Sequence, residues 1–235
     1  MRTAIVTGAA GGIGEATAQD LARWGWRVFG FDLRAGESTL VSSDLAGFGG
    51  SVEPVRVDVT DRAAVEAAVA AVLATTGGTL DAVVANAGIR VAGAFEETPF
   101  AQIRRMLEVN LGGAMHVTRA ALPALRVTEG SRVVVVSSVG GLSALPGLAA
   151  YCGSKWAVEG WAESLAHELH PLGVGVSIVE PASVRTGLWD LGTVHGDPDG
   201  PYASLVESVE VGDDRAWARA LDPASVSATM VAVTE

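Results

Sequence analysis

The segment that most restricts the fold stands at the start of the chain. Arg2 to Val6 is a short apolar run, Thr7-Gly8-Ala9-Ala10-Gly11-Gly12-Ile13-Gly14 is a glycine loop, and a helical pattern follows from about Glu15 to Arg23. A strand that enters a helix through glycines leaves free N–H groups and the positive end of the helix dipole facing outward, which suits a pyrophosphate. The spacing is Gly-x-x-x-Gly-x-Gly, through Gly8, Gly12 and Gly14, so the Gly-x-Gly-x-x-Gly fingerprint of many dinucleotide sites is not met literally. The strand, loop and helix context is met.

The alternation recurs down the chain. Arg27 to Phe31 is a second strand and ends on Asp32, where an acidic side chain would accept hydrogen bonds from an adenosine ribose. Val55 to Val59 is a third strand containing Asp58, followed by Thr60-Asp61 as a helix start and an Ala/Val helix to about Thr75. Leu80 to Ala85 is a fourth strand and ends in Asn86-Ala87-Gly88. Val133 to Val136 is a buried β-branched run that delivers Ser137 and Ser138, and Val174 to Val179 leads into Pro181-Ala182-Ser183-Val184-Arg185-Thr186. Right-handed β-α-β crossovers gather these strand ends on one edge, where open parallel sheets bind ligands. The expected fold is α/β: a single Rossmann-type domain over residues 1–235, with a doubly wound parallel sheet of six or seven strands and helices on both faces.

Three further segments matter. A long helix from Pro99 to about Leu125 carries Asn110 and should be interrupted or shifted near Gly112 and Gly113; an Asn inside an apolar helix is more often structural than catalytic. A helix from Ala149 to about His170 would bury Val158, Trp161, Leu165 and Leu169, turning Trp156, Gly160, Glu163 and His167 outward. Gly187 to about Gly212 is rich in Gly, Asp and Pro without clear periodicity, and reads as a long loop or substrate lid.

Ser137 to Lys155 concentrates the chemistry. Tyr151 and Lys155 are four residues apart, so on a helix they lie about 40° apart and one turn above each other. An ammonium at roughly 5 Å, with an effective dielectric of ~20, would favour the phenolate by ~3 kcal/mol and lower the Tyr pKa by about 2 units. Ser138 adds a hydroxyl from the preceding strand end.

Charge and cysteine use exclude other classes. Sixteen basic and twenty-seven acidic residues give a net charge of −11, which repels nucleic acid and anionic membrane surfaces. Cys152 is the single cysteine, so no intrachain disulfide forms, and the first residues do not resemble a signal peptide. The uncharged run from Val133 to Ala150 is broken by Ser, Gly and Pro and does not suit a membrane span. The expectation is a cytoplasmic protein with no nucleic-acid or membrane partner.

From Thr7 to Thr186 the chain resembles the classical short-chain dehydrogenase/reductase family. Thr7-Gly8-x-x-x-Gly12-x-Gly14 looks like its cofactor loop, Asn86-Ala87-Gly88 like its Asn-Ala-Gly turn, and Asn110, Ser138, Tyr151 and Lys155 like its catalytic tetrad with the usual Ser-to-Tyr spacing. The resemblance implies cofactor contacts from Gly8, Gly12, Ile13, Gly14, Asp32, Asn86, Ala87, Gly88, Tyr151, Lys155 and Pro181. It also places Asp58 and Val59 beside the adenine, and Val184 and Thr186 at the nicotinamide carboxamide. Two departures stand out: the family's Pro-Gly after the sixth strand is Pro181-Ala182, and members often continue into a seventh strand where this chain reaches Glu235.

The implied activity is hydride exchange between NAD(H), rather than NADP(H), and a hydrophobic secondary alcohol or ketone, with no metal. Tyr151 would act as acid and base, Ser138 would hold the substrate oxygen, Lys155 would tune Tyr151 and hold the ribose, and Asn110 would position a relay water. Arg34 is the feature that would weaken the NAD preference. Apolar walls are expected from Ile89, Val91, Phe95, Leu142, Leu145, Leu188, Trp189 and Leu191, with Arg185 and His195 as the groups able to hold a carboxylate instead. The family also implies a homodimer or homotetramer, for which Trp156 and Gly160 offer a surface. The alternative is a catalytically idle nucleotide sensor on the same fold, which has no need of Ser138 and Tyr151 at catalytic spacing.

Overall fold

The structure, a computed structural model, describes residues 1–35, 49–188 and 194–235. Strand β1 (Thr3–Thr7) feeds α1 (Gly12–Arg23), which returns to β2 (Arg27–Asp32); then follow β3 (Ser51–Arg56), α2 (Arg62–Thr75) and β4 (Ala82–Ala85). A two-residue β5 (Ala92–Gly93) precedes α3 (Phe100–Leu107), a π-helical turn at Glu108–Gly113 and α4 (Ala114–Leu125). Next come β6 (Arg132–Val136), α5 (Ala149–Leu169), β7 (Gly175–Val179), β8 (Val194–His195), α6 (Ala203–Arg219) and α7 (Pro223–Thr234). The main sheet runs β3-β2-β1-β4-β6-β7 with every pairing parallel, while β5 and β8 pair separately. This is the doubly wound sheet expected, with six strands.

Side-chain alternation explains the two faces. Ile5, Phe29, Phe31, Val83, Val133 and Val135 pack on α2, α4 and α5 through Val65, Val117, Ala121, Val158 and Leu165. Their sequence neighbours Ala4, Val6, Val28, Val84, Val134 and Val136 pack on α1 and α7 through Leu21, Ala22, Val226 and Met230. β-Branched residues therefore recur without polar interruption because both faces are covered. Register sets the edge that matters: Thr7 lies opposite Phe31, Asp32 opposite Arg56 and Val136 opposite Val179.

The structure corrects several expected boundaries. β3 is Ser51–Arg56 rather than Val55 to Val59, because this edge strand alternates polar and apolar residues and ties Glu53 to Arg27, Oε1 to Nε, at 2.6 Å. Val57 follows the strand and donates its N–H to the Asp32 carbonyl at 3.1 Å. Helix α1 begins at Gly12, three residues early, since the glycine loop itself forms the first turn, with Glu15 N–H on the Gly11 carbonyl at 3.3 Å. The expected loop from Gly187 to Gly212 ends in a helix: α6 starts at Ala203, and Val206 and Val209, buried on it, take up the room that Gly196 and Gly147 leave. Apolar anchors set in a polar stretch give too little periodicity to read. No helix among the described residues is long and apolar enough to cross a membrane.

Candidate active site

A cavity of about 650 Å³ opens where the strands end. From the β1, β2 and β3 side it is lined by Gly8, Gly12, Ile13, Asp32, Asp58 and Val59. From the β4 and β7 side come Asn86, Ala87, Gly88, Pro181, Val184 and Thr186, and from β6 and α5 come Ser138, Tyr151 and Lys155. Of the expected site residues, Gly14 and Asn110 are the two that do not line it, and each stands behind a residue that does.

The glycine loop is a cradle with no space for side chains. Gly8 has φ +68°, and a Cβ there would lie 2.8 Å from Asn86 Nδ2 and 3.0 Å from Ala87 Cα. A Cβ on Gly14 would collide with the Gly8 carbonyl oxygen, and one on Gly12 (φ +58°) would come within 2.9 Å of Thr186 Cγ2. The backbone thus approaches the cavity bare at the N-terminus of α1, which fits a pyrophosphate. Thr7, read from sequence as the first residue of the cofactor-loop motif but without a contact, holds this loop: its Oγ1 accepts the N–H groups of Asn86 at 2.9 Å and Ala87 at 3.0 Å. Asn86 reciprocates by donating Nδ2 to the Thr7 carbonyl at 2.9 Å, so its side chain ties β4 to the loop.

At the far end of β2, Asp32 accepts N–H groups from Ala10 at 3.0 Å and Arg34 at 2.9 Å. The Arg34 Nε lies 3.9 Å from Asp32 Oδ1, so a carboxylate and a guanidinium flank the same part of the cavity. Asp58 accepts from Thr60 N–H at 2.9 Å, Thr60 Oγ1 at 2.7 Å and Arg105 Nη2 at 3.3 Å. Burial would raise its carboxyl, but the Thr60 bonds and Arg105 outweigh it and hold Asp58 below the usual carboxylate range.

Asn110 lies in the π-helical turn and is saturated. Its Oδ1 accepts Ile89 N–H at 2.8 Å, and its Nδ2 donates to the Ile89 carbonyl and to Ser154 Oγ, both at 3.0 Å. The wider turn brings the amide to the segment that carries Ile89 and Arg90, and Gly113 makes the bend feasible because a Cβ there would meet Val59 Cγ2 at 2.6 Å.

Tyr151 and Lys155 share the inward face of α5 and are both buried. Lys155 Nζ stands 6.0 Å from the Tyr151 ring centroid and donates to the Val136 carbonyl at 3.0 Å. Burial lowers the Lys155 amine to about 8, with Glu159 pulling it back up. The Tyr151 phenol moves opposite to the sequence expectation: burial raises it, a hydrogen bond with Ser138 and the charge of Arg90 pull it down, and Cys152 adds a push upward. Spacing gave the proximity of Lys155 but not the desolvation that outweighs it.

The apolar wall differs in part from expectation. Ile89, Leu145 and Leu188 line the cavity and are joined by Leu148, whereas Val91 is packed behind, Phe95 and Leu142 face solvent, and Trp189 and Leu191 lie outside the described residues. Arg185 donates to the Ala220 carbonyl at 2.7 Å and lines a separate cleft, and His195 bonds Gln102 at 2.9 Å. Neither lines this cavity; Arg90 does.

A parallel sheet with a bare glycine loop at one strand end is the arrangement of a nucleotide-binding fold, and a serine, a tyrosine and a lysine line the same cavity from another strand end and α5. Comparison makes this specific: a family model of short chain dehydrogenase matches residues 2–192. The chain belongs to the classical short-chain dehydrogenase/reductase family. Among curated relatives, 3-ketodihydrosphingosine reductase of Bacteroides thetaiotaomicron is 32% identical over 79% of this chain, which spans 65% of that protein. Trans-4-hydroxycyclohexanecarboxylate dehydrogenase of Sinomonas cyclohexanicum is 34% identical over 90% of this chain and 83% of its own. Among solved structures, a short chain dehydrogenase/reductase of Burkholderia phymatum in complex with NAD superposes with TM-score 0.86 at 29% identity, covering 99% of this chain and 85% of that one. An alcohol dehydrogenase of Thermococcus sibiricus complexed with 5-hydroxy-NADP gives 0.81 at 26% identity, covering 99% and 90%.

Proposed function

We propose that this chain is an NAD(H)-dependent oxidoreductase that interconverts a hydrophobic secondary alcohol and its ketone. The observation that carries this reading is the convergence of Ser138, Tyr151 and Lys155 on the wall of a cavity that continues to the glycine loop and Asp32. The bound nicotinamide would supply or take up the hydride. Tyr151, kept neutral by burial, is suited to protonate a developing alkoxide in the reducing direction, and Ser138 to hydrogen-bond the same oxygen. Lys155 presents its ammonium to the ribose, while Asn110 acts by fixing Ile89 and Ser154 in place of the expected water contact.

The cofactor would lie along Gly8, Gly12, Ile13 and Gly14, with Asp32 on the adenosine ribose, Asp58 and Val59 beside the adenine, and Asn86, Ala87, Gly88, Pro181, Val184 and Thr186 around the nicotinamide half. The Asp32 carboxylate supports NAD, because it repels a 2′-phosphate; Arg34 works against that repulsion. Ile89, Leu145, Leu148 and Leu188 support an apolar substrate body. Arg90, which acts on Tyr151, is the group beside the acid–base residue that would accept a carboxylate carried on such a body, the class named for the Sinomonas relative. We read the chain as a single cytoplasmic domain that self-associates, with Leu188 at the substrate end of the cavity. A panel of cyclic, aromatic and aliphatic ketones and alcohols, followed at the nicotinamide absorbance, tests the reading. The expected outcome is highest kcat/KM for an apolar ring substrate with NAD(H); turnover confined to sugar phosphates or small hydroxy acids would contradict it.

A further inference from the structure

Lys155 is the only lysine in the chain, all fifteen other basic residues being arginine. The residue is 5% exposed, and among the described residues its ammonium bonds a single carbonyl, that of Val136. A buried ammonium needs more than one neutral acceptor to stay charged. One turn further along α5, on the same face, stands Glu159, itself 8% exposed. Among the described residues its Oε1 finds no hydrogen-bond partner, and neither does the Oγ of Ser137, 3% exposed at the end of β6. The two orphaned oxygens face the same space. A Cβ added to Gly141 would lie 2.7 Å from Ser137 Oγ and 2.9 Å from Glu159 Oε1, so the glycine leaves that space open between them.

We propose that Glu159 is a positioning residue for the proposed reaction: its buried carboxylate is the counter-charge that keeps Lys155 protonated, and an ordered water bound between Glu159 and Ser137 completes its hydrogen bonds. A water there has two polar partners that otherwise go unsatisfied, which is the condition for a buried water to be held. Glu159 favours the charged form of Lys155, and it also pushes up the carboxyl of Glu180, which follows β7 and is raised mainly by its own burial. The carboxylate therefore acts on a cation and on a second acid.

The charged groups around this cluster are few. β7 and the 139–141 turn carry none, and His170 after α5 is exposed. Arg104 and Arg105 of α3 engage Glu108 and Asp58, and Arg90, ahead of β5, acts on Tyr151. Among the described residues, Glu159 is left as the carboxylate that bears on Lys155.

The inference rests on the catalytic reading only for its consequence, so the test separates the two. Because the chain has one lysine, ¹⁵N-lysine labelling gives a single side-chain ammonium signal, which can be titrated in the ligand-free protein. The expected Lys155 midpoint is highest in the native chain, lower in Glu159→Asp, where the carboxylate is set back, and lowest in Glu159→Gln, by about one unit. A midpoint unchanged or raised in Glu159→Gln overturns the proposal; if that variant does not fold, a midpoint in Glu159→Asp equal to the native one does so. In turnover, the high-pH limb of kcat/KM for ketone reduction should move down with the Lys155 midpoint. If the midpoint follows Glu159 while no ketone or alcohol is turned over, the counter-charge stands and the catalytic reading falls.

Discussion

Lys155 changes how stability responds to pH. In the unfolded chain its amine titrates near its ordinary 10.5, and in the fold at about 8. Between those values the unfolded chain binds the proton and the folded one does not, so the contribution of this group to stability rises with pH and is complete above 10.5. The native chain should therefore gain about 2 kcal/mol relative to Lys155→Met between pH 8 and pH 10, measured by urea unfolding of the ligand-free proteins; a difference that stays constant would refute the burial of a titrating amine. At the other end of the cavity, Asp32→Ala should lower kcat/KM for NADH by about tenfold or more and raise that for NADPH, while Arg34→Ala should further depress NADPH use. Steady-state kinetics with both cofactors check this, and a native preference for NADPH would show that Arg34 outweighs Asp32. These residues were legible because their spacing along strands and α5 is local. The contacts of Thr7 and Arg90 were not, since Thr7 meets Asn86 and Ala87 from a different strand and Arg90 acts on Tyr151 only through the fold.

Elements were legible where apolar periodicity was strong and misread where an edge or a weak face interrupted it. β1, β2, β4, β6, α2 and α5 lie within a few residues of expectation. β3 was displaced because Val57 and Val59 extend its apolar run past the strand, and α6 was missed because its buried side rests on Val206 and Val209. The interruption expected near Gly112 and Gly113 is the π-helical turn at Glu108–Gly113, and its purpose is visible only in three dimensions. Asn110→Ala would leave both the N–H and the carbonyl of Ile89 without their side-chain partner. It should cost about 1–3 kcal/mol of stability and raise KM for the substrate, as the Ile89–Arg90 segment loosens. Urea unfolding and steady-state kinetics test this; full stability with a loss confined to kcat would return Asn110 to the water-relay role.

At the scale of the whole molecule, the sheet presses one set of strand side chains on α2, α4 and α5 and the alternate set on α1 and α7, and among the described residues this leaves the outer surface of α5 uncovered. Trp156 there is 54% exposed, beside an exposed Gly160 against which an added Cβ would meet nothing. A two-fold pairing of α5 would bury both, so light scattering at micromolar concentration should give at least a dimer, and Trp156→Glu should shift it toward the monomer. A monomeric mass for the native chain would rule the pairing out. The charge of −11 and the fold class were legible from composition and alternation, whereas the proposed pairing rests on an exposed patch that composition alone does not reveal. The central claim is that a buried phenol moves the proton while the nicotinamide moves the hydride. Its most direct measurement is Tyr151→Phe, assayed for ketone-dependent NADH oxidation alongside NADH binding by fluorescence: the account predicts unchanged NADH affinity with kcat reduced at least about a hundredfold, and retention of more than roughly a tenth of native turnover would contradict it.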